Sequence, residues 1–295
     1  MQDLYLVSGI SRQGHLQAVQ REENQLKKFQ CYIGFIEEVR QAHPGMGLRK
    51  IYEQFDPEGI GRDAFISLGL QAGYRLIYQP NSIKTTYSVK NRRYRNLLSQ
   101  RRFTDVNQIW VSDITYYSFG GIFYYIVLIM DVYSRKIVGY NIADNMRAEQ
   151  NLKALEQALI LRGKDSYNNN LIHHSDRGSQ YISDDYTNLL EEYEIQISMC
   201  DSVYENTHCE RVNGTIKNEY LNRWDAKTPR QLYKNMDKAV LNYNERKHNS
   251  IGMSPNLFEI TLDNIEIEKR EILEIYTANI NPWDKNQLTL NLDNI

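Results

Sequence analysis

Three strand-forming segments follow one another between residues 109 and 142, and that succession restricts the fold more than any other feature of the chain. Ile109 to Tyr117 alternates like a strand, Gly120-Gly121 supplies a hairpin turn, and Ile122 to Met130 is apolar enough for a buried strand. Asp131 to Ser134 turns again, and Arg135 to Ile142 reads as a third strand. Connections this short leave consecutive strands antiparallel, so the segment predicts a meander. The period then changes. Leu152, Leu155 and Leu159 recur at helical spacing between about Ala148 and Leu161, and Gly163 marks the stop. Leu171 to His174 reads as a short strand, Ser183-Asp184-Asp185 caps a helix running to about Tyr193, and Ile195 to Met199 is a fifth strand. A helix from about Asn206 to Asn222 closes the series. The expected class is α/β, a mixed sheet flanked by helices.

The regions on either side read differently. Residues 1–80 suggest short helices: a turn at Ser8 to Arg12, a helical face of Ile33, Ile36 and Val39, a break at His43-Pro44-Gly45, and further helices from Leu48 and from about Arg62 to Gly73. Such a unit suits a small all-α, helix-turn-helix-like DNA-binding region. Residues 81–104 read as a linker, followed by the α/β core at 105–260 and a tail at 261–295 with one helix expected around Ile265 to Tyr276. Net charge is only −2, but residues 1–104 hold 16 Lys and Arg against 9 Asp and Glu. Lys84, Lys90, Arg92, Arg93, Arg95, Arg101 and Arg102 fall in a stretch without a single acid. A basic arm beside an acidic body points to a polyanionic partner, although a basic run also serves as a solvated linker. The longest apolar run, Ile122 to Met130, is too short to span a bilayer, and no signal segment opens the chain. Cys31, Cys200 and Cys209 form no CxxC pair, so neither a disulfide framework nor a closed zinc site is expected, and a reducing cytoplasm is the expected compartment.

The order β-β-β-α-β-α-β-α is that of the ribonuclease-H-like fold, in which the first and fourth strands lie side by side. That topology gives meaning to three acids. Asp113 sits in mid-strand, where a charge demands a partner or a metal. Asp176 lies just past the fourth strand, and Glu210 falls within the last helix. Phosphoryl transfer on DNA needs one oxygen activated and another stabilised in line, which two divalent ions on hard carboxylate ligands accomplish. The three acids would then converge.

The runs VSDIT, LIMDVYSRKIVGY, HHSDRGSQY, ERVNGTIKNE and YNERKHNSIGMSP resemble the integrase core of insertion sequence 3 family transposases, the product of their second reading frame. HPGMGLRKIYEQ resembles the helix-turn-helix module that precedes that core. Together they cover about residues 30 to 260. The resemblance implies a transposase that uses two Mg2+ or Mn2+ ions, held by Asp113, Asp176 and Glu210, to cut DNA 3′ ends at terminal inverted repeats and join them to target DNA. It implies a bacterial cytoplasmic protein, associated with the nucleoid when on DNA, working as a homo-oligomer and with the upstream reading-frame product as a further partner. Lys217, two turns after Glu210, and Asn206, one turn before it, share its expected helical face and stand as DNA contacts. Arg177 and Gln180 beside Asp176, and Lys90, Arg92, Arg93 and Arg95 of the basic arm, join them as candidate DNA-binding residues. The segment between Asp176 and Glu210 is slightly shorter than is usual in the family, and Glu205-Asn206 stands where Asp-Asn is usual. Glu205 is therefore a rival third ligand, but ERVNGTIK supports Glu210. His173 and His174 have a packing role or a direct one. The YNERKH residues Asn244, Arg246 and His248 are a functional or folding element without an assigned mechanism. An alternative reading is a catalytically silent DNA-binding protein derived from a transposase, against which the complete acidic triad argues. A hybrid-cleaving nuclease of the same fold is disfavoured by the helical unit.

Overall fold

The computed structural model describes residues 9, 11–77, 94–98, 101–163, 170–200 and 207–275. The chain divides into two compact units, Met1–Lys84 with Gly214–Lys247, and Thr85–Asn213 with His248–Ile295.

The second unit is built on a five-stranded sheet: β2 (Ile109–Phe119), β3 (Ile122–Asp131), β4 (Ile137–Ala143), β5 (Ile172–Ser175) and β6 (Gln196–Met199) in the order β4-β3-β2-β5-β6. The meander is antiparallel, with Asp113 opposite Leu128 and Phe119 opposite Ile122. β5 runs parallel to β2, pairing Ile109 with Ile172 and Ser112 with Ser175, and β6 runs parallel to β5. This is the mixed sheet of the ribonuclease-H-like fold. α4 (Ala148–Arg162), which follows β4, and α5 (Asp184–Glu192), which follows β5, share one core with the sheet, in which Trp110, Val127, Ile129, Leu155, Leu159, Tyr186 and Leu190 are buried. Gly139 allows the close approach of α4, since a Cβ there would lie 2.1 Å from the Ala154 carbonyl oxygen. On the second face, Cys209 of α6 (Thr207–Thr215) is fully buried, its thiol directed at the carbonyls of Val111 and Leu128.

LIMDVYSRK earns its place structurally. Asp131, at the end of β3, is fully buried and accepts hydrogen bonds from the Asn107 amide (2.6 Å) and the Ser134 amide (2.9 Å). Arg162 stands 3.6 Å from Asp131 and 2.7 Å from Glu259, and Lys136 lies 2.8 Å from Glu259. These contacts tie the meander and α4 to α8 (Pro255–Leu262).

Two expectations for this unit are corrected. The tail helix around Ile265 to Tyr276 is instead a 3-10 turn, Ile267–Lys269, and a strand, β7 (Leu273–Ile275); Tyr276 lies outside the described residues. β7 pairs antiparallel with β1 (Arg101–Phe103), so Arg101 to Phe103 of the expected linker are strand, with Phe103 buried. Pairing with a segment some 170 residues away is invisible to local periodicity.

The first unit contains α1 (Arg12–Ala42), α2 (Leu48–Phe55), α3 (Arg62–Gln71), a π-helical segment at Ile216–Leu221, and α7 (Pro229–Glu245). α1 is one 31-residue helix capped by Ser11, in place of the short helices expected before His43. Its residues 15–28 are exposed on every side, so no apolar face announced them. Ile36, Val39, Leu48, Ile51 and Phe65 form a helical core. The π-helical segment is a further correction: α-helical winding stops at Thr215, not Asn222. Glu219 in that segment binds Lys50 (2.7 Å) and buried Arg246 (2.6 Å), and the Tyr220 hydroxyl meets His43 Nδ1 at 3.0 Å. The Gly45 amide donates to the Glu219 carbonyl at 2.8 Å, where a Cβ would collide with the backbone. Arg246 of YNERKH thus has a folding role, and HPG of the first module is its near neighbour in structure.

Candidate active site

β2 and β5 do for the acids what their order implied. Ser112 and Ser175 are register partners, so Asp113, in the middle of β2, and Asp176, the first residue past β5, follow on adjacent parallel strands. Burial pushes Asp113 up to about 7, and the charges of Asp176 and, less strongly, Glu210 push the same way. Its own strand's Ile114 amide and Asn213 oppose the shift, the latter donating from Nδ2 to Asp113 Oδ2 at 2.8 Å. Burial also raises Asp176, opposed by the Gly178 amide, which donates to its Oδ1 at 3.0 Å. Glu210 is exposed in the first turn of α6. Asp176 and Glu210 are thus both within electrostatic reach of Asp113. Among the described residues, no three His, Cys, Asp or Glu side chains are closed into a metal cage. The donor set is nevertheless of the right chemistry: carboxylate oxygens, crowded so that a cation relieves their repulsion, suit Mg2+ or Mn2+.

The DRGSQY turn is anchored from beneath. Tyr181, fully buried, meets Ser112 Oγ at 2.8 Å, joining the turn after Asp176 to the strand that carries Asp113. Arg177 directs Nε to the Cys200 carbonyl (2.8 Å) and Nη1 to that of Tyr94 (3.3 Å). Gln180 is buried and donates to the Met146 carbonyl at 3.2 Å. Both therefore brace the loops around Asp176. His173 and His174 are buried, His173 against the Tyr186 hydroxyl (2.9 Å) and His174 between Ser198 (2.8 Å) and Cys200 (3.0 Å). Burial holds His173 down at about 3, so it is neutral packing at physiological pH. His208 is held at about 4, by burial first, and accepts from Arg135 at 2.7 Å.

Arg95 is exposed, and its carbonyl accepts from the Met199 amide. Lys217 lies in the π-helical segment, two residues past the α-helical winding that carries Glu210. Lys90, Arg92, Arg93, Glu205 and Asn206 lie outside the described residues. Asn213 is the contact of Asp113 that the sequence reading passed over. Asn213 had a signal, since it follows Glu210 by three positions and shares its helical face.

Comparison with known proteins bears on the family of the chain. The integrase core domain family matches residues 104–204 and, in a second form, residues 192–255. An insertion element IS600 uncharacterized 31 kDa protein of Shigella sonnei is 32% identical over 85% of this chain and 96% of its own length. A putative transposase for insertion sequence element IS986/IS6110 of Mycobacterium tuberculosis is 34% identical over 63% of this chain and 70% of its own. Among solved structures, an HTLV-2 integrase catalytic core domain in complex with magnesium aligns over 56% of this chain and 99% of its own, with 22% identity and a TM-score of 0.44. Among the described residues no helix is long and apolar enough to cross a membrane. The chain belongs to the insertion-sequence transposases that carry an integrase core domain.

Proposed function

We propose that this transposase cleaves DNA 3′ ends at terminal inverted repeats and transfers them to target DNA, with Asp113, Asp176 and Glu210 as the ligands of two Mg2+ or Mn2+ ions. The observation that supports the proposal is the half-buried pair Asp113 and Asp176, set by neighbouring parallel strands so that the charge of Asp176 raises the Asp113 pKa, with Glu210 exposed on a helix within electrostatic reach of Asp113. Ions bound there supply activation of the attacking oxygen and stabilisation of the leaving oxygen in an in-line displacement. The protein's own share is placement. Asn213 fixes one Asp113 oxygen and favours its ionised form, Gly178 does the same for Asp176, and Tyr181 on Ser112 locks the turn of one acid to the strand of the other. Exposure leaves Glu210 free to complete the site as DNA arrives. Duplex terminal repeats and target DNA as substrates, assembly as a homo-oligomer on DNA, an upstream reading-frame partner and action in the bacterial cytoplasm, on the nucleoid, belong to the same proposal.

The test is end cleavage and strand transfer on labelled terminal-repeat duplex with Mg2+, comparing wild type with Glu210→Gln and Glu205→Gln. Loss of product with Glu210→Gln and its retention with Glu205→Gln is the expected result. Loss with Glu205→Gln alone would move the third ligand, and a wild type that binds the duplex yet makes no product would favour the silent DNA-binding protein.

A further inference from the structure

We infer that the helical unit carries a second DNA contact, a cationic groove lined by Arg223, Trp224, Asp225, Gln231, Asn235 and Lys238 that takes the phosphodiester backbone of duplex DNA. The groove is open, with a volume of about 350 Å³, and lies where the loop after the π-helical segment meets α7. Between Arg223 and Lys238 the chain carries five Lys or Arg and two Asp, in a protein whose net charge is −2.

The cations of this surface are poorly neutralised. Arg223 spends its donors on carbonyl oxygens, those of Ile77 (2.6 Å) and Asn218 (3.3 Å). Lys238 lies 4.7 Å from the Trp224 ring centre and 3.4 Å from the Gln41 carbonyl. Asp225 is taken by Lys227. Among the described residues, Arg223, Arg230, Lys234 and Lys238 have no carboxylate partner. Arg230, Lys234 and Lys238 recur every four residues and are exposed, while Leu232, Met236, Ala239, Val240 and Tyr243 of the same helix are buried. That places a basic stripe opposite the packed face of α7.

Arg40 adds positive charge near this surface. Arg40 is within electrostatic reach of Arg223, and its buried Nε finds no hydrogen-bond acceptor among the described residues. Burial lowers the Arg40 pKa, with Tyr74 opposing and Arg223 adding to the lowering; His43 is pushed down to about 4 by burial and by Arg246, with Glu219 opposing and Lys238 adding, so it stays neutral at physiological pH. Arg223, Arg230, Lys234 and Lys238 on one surface repel one another, a polyanion relieves that repulsion, and release of condensed counterions makes phosphate its natural source. Trp224 and the partly exposed Tyr233 interleave with the cations, as at surfaces that receive nucleic acid.

This inference rests on the proposed DNA-joining function, and one experiment separates their failures. Binding of a labelled random-sequence duplex to the full chain is followed by fluorescence anisotropy at several salt concentrations. Lys238→Gln is expected to weaken binding by roughly 3- to 10-fold and to flatten the log Kd against log salt slope by about 1. Asp225→Asn, which removes the groove's own acid, is expected to tighten binding about 2-fold or more, a gain that misfolding does not produce. Lys238→Arg and the remote control Lys153→Gln should match wild type. If wild type binds but neither Lys238→Gln nor Asp225→Asn shifts affinity or slope, the groove is overturned while the function stands. If inorganic phosphate alters Trp224 fluorescence but duplex binding ignores both substitutions, the groove is a small-anion site and the inference fails. If wild type binds no duplex, both readings fall.

Discussion

Asp113 is held in its protonated form up to about pH 7 by burial and by the charge of Asp176, whereas in the unfolded chain it ionises near 3.8. Between these values the folded state binds more protons than the unfolded one, so stability falls as pH rises through that window and the loss is complete above about pH 7. Moving the ionisation from 3.8 to about 7 corresponds to about 4 kcal/mol, at roughly 1.36 kcal/mol for each step of one in pH. That is an upper figure, because local relaxation and water entry soften the penalty. Asp113→Asn removes the titration and keeps the shape. Relative to wild type, the metal-free variant is therefore expected to gain about 2 to 4 kcal/mol between pH 4 and pH 8.

Urea unfolding in excess chelator at a series of pH values measures this directly. Wild type should lose midpoint steadily from pH 4 to 7, while the variant stays flatter. Adding Mg2+ or Mn2+ at pH 8 should restore wild type by ligand linkage and do less for the variant. A wild-type minus variant difference that is constant across pH, or a variant less stable than wild type at pH 8, would refute the reasoning.

Other expectations follow from single contacts. Asn213→Ala deletes the 2.8 Å donor to Asp113, which raises the Asp113 pKa further; the alkaline shift of the pH–rate profile should be visible, with roughly 10-fold less activity at pH 7 and partial recovery at pH 8.5. Arg246→Met leaves Glu219 buried with only Lys50 as partner, and should cost about 3 to 5 kcal/mol by denaturant titration, part of it recovered by adding Glu219→Gln. An effect below about 1 kcal/mol would show the pair to be dispensable. Gly139→Ala drives a methyl to 2.1 Å from the Ala154 carbonyl and should destabilise the sheet unit by at least about 2 kcal/mol, measured as a lowered melting temperature.

The sheet was legible because its strands announce themselves locally. Alternation at Ile109 to Tyr117, Gly120-Gly121 and the apolar run to Met130 gave the meander within two residues of its observed ends, and helical leucines gave α4. Topology then placed Asp113 beside Asp176 without a coordinate. What escaped depended on contacts distant in sequence. β7 has meaning only beside β1, and the exposed first half of α1 shows no apolar face to read. The π-helical winding at Ile216–Leu221 has no compositional mark; it sits where Glu219 and Tyr220 meet Lys50, Arg246 and His43, partners drawn from remote segments. Arg177 and Gln180 were read as candidate DNA contacts from their place beside Asp176, and carbonyls of neighbouring loops accept hydrogen bonds from them.

These particulars assign different work to different parts of one motif. In HSDRGSQY, Asp176 carries the charge, Gly178 brings an amide within 3.0 Å of that charge, Arg177 and Gln180 fasten the flanking loops, and Tyr181 returns to Ser112 beneath the neighbouring strand. A carboxylate that repels its neighbour would otherwise swing away, since separation relieves the repulsion. Rigid fastening on both sides keeps the two acids together in the absence of a cation, and under the proposed two-metal reading the free energy retained in that crowding is what a divalent ion would release on binding. The same argument explains the contrast with Glu210. An exposed third acid on a helix end adds little to the strain, and under the proposed reading it would supply its charge once cations and DNA are in place.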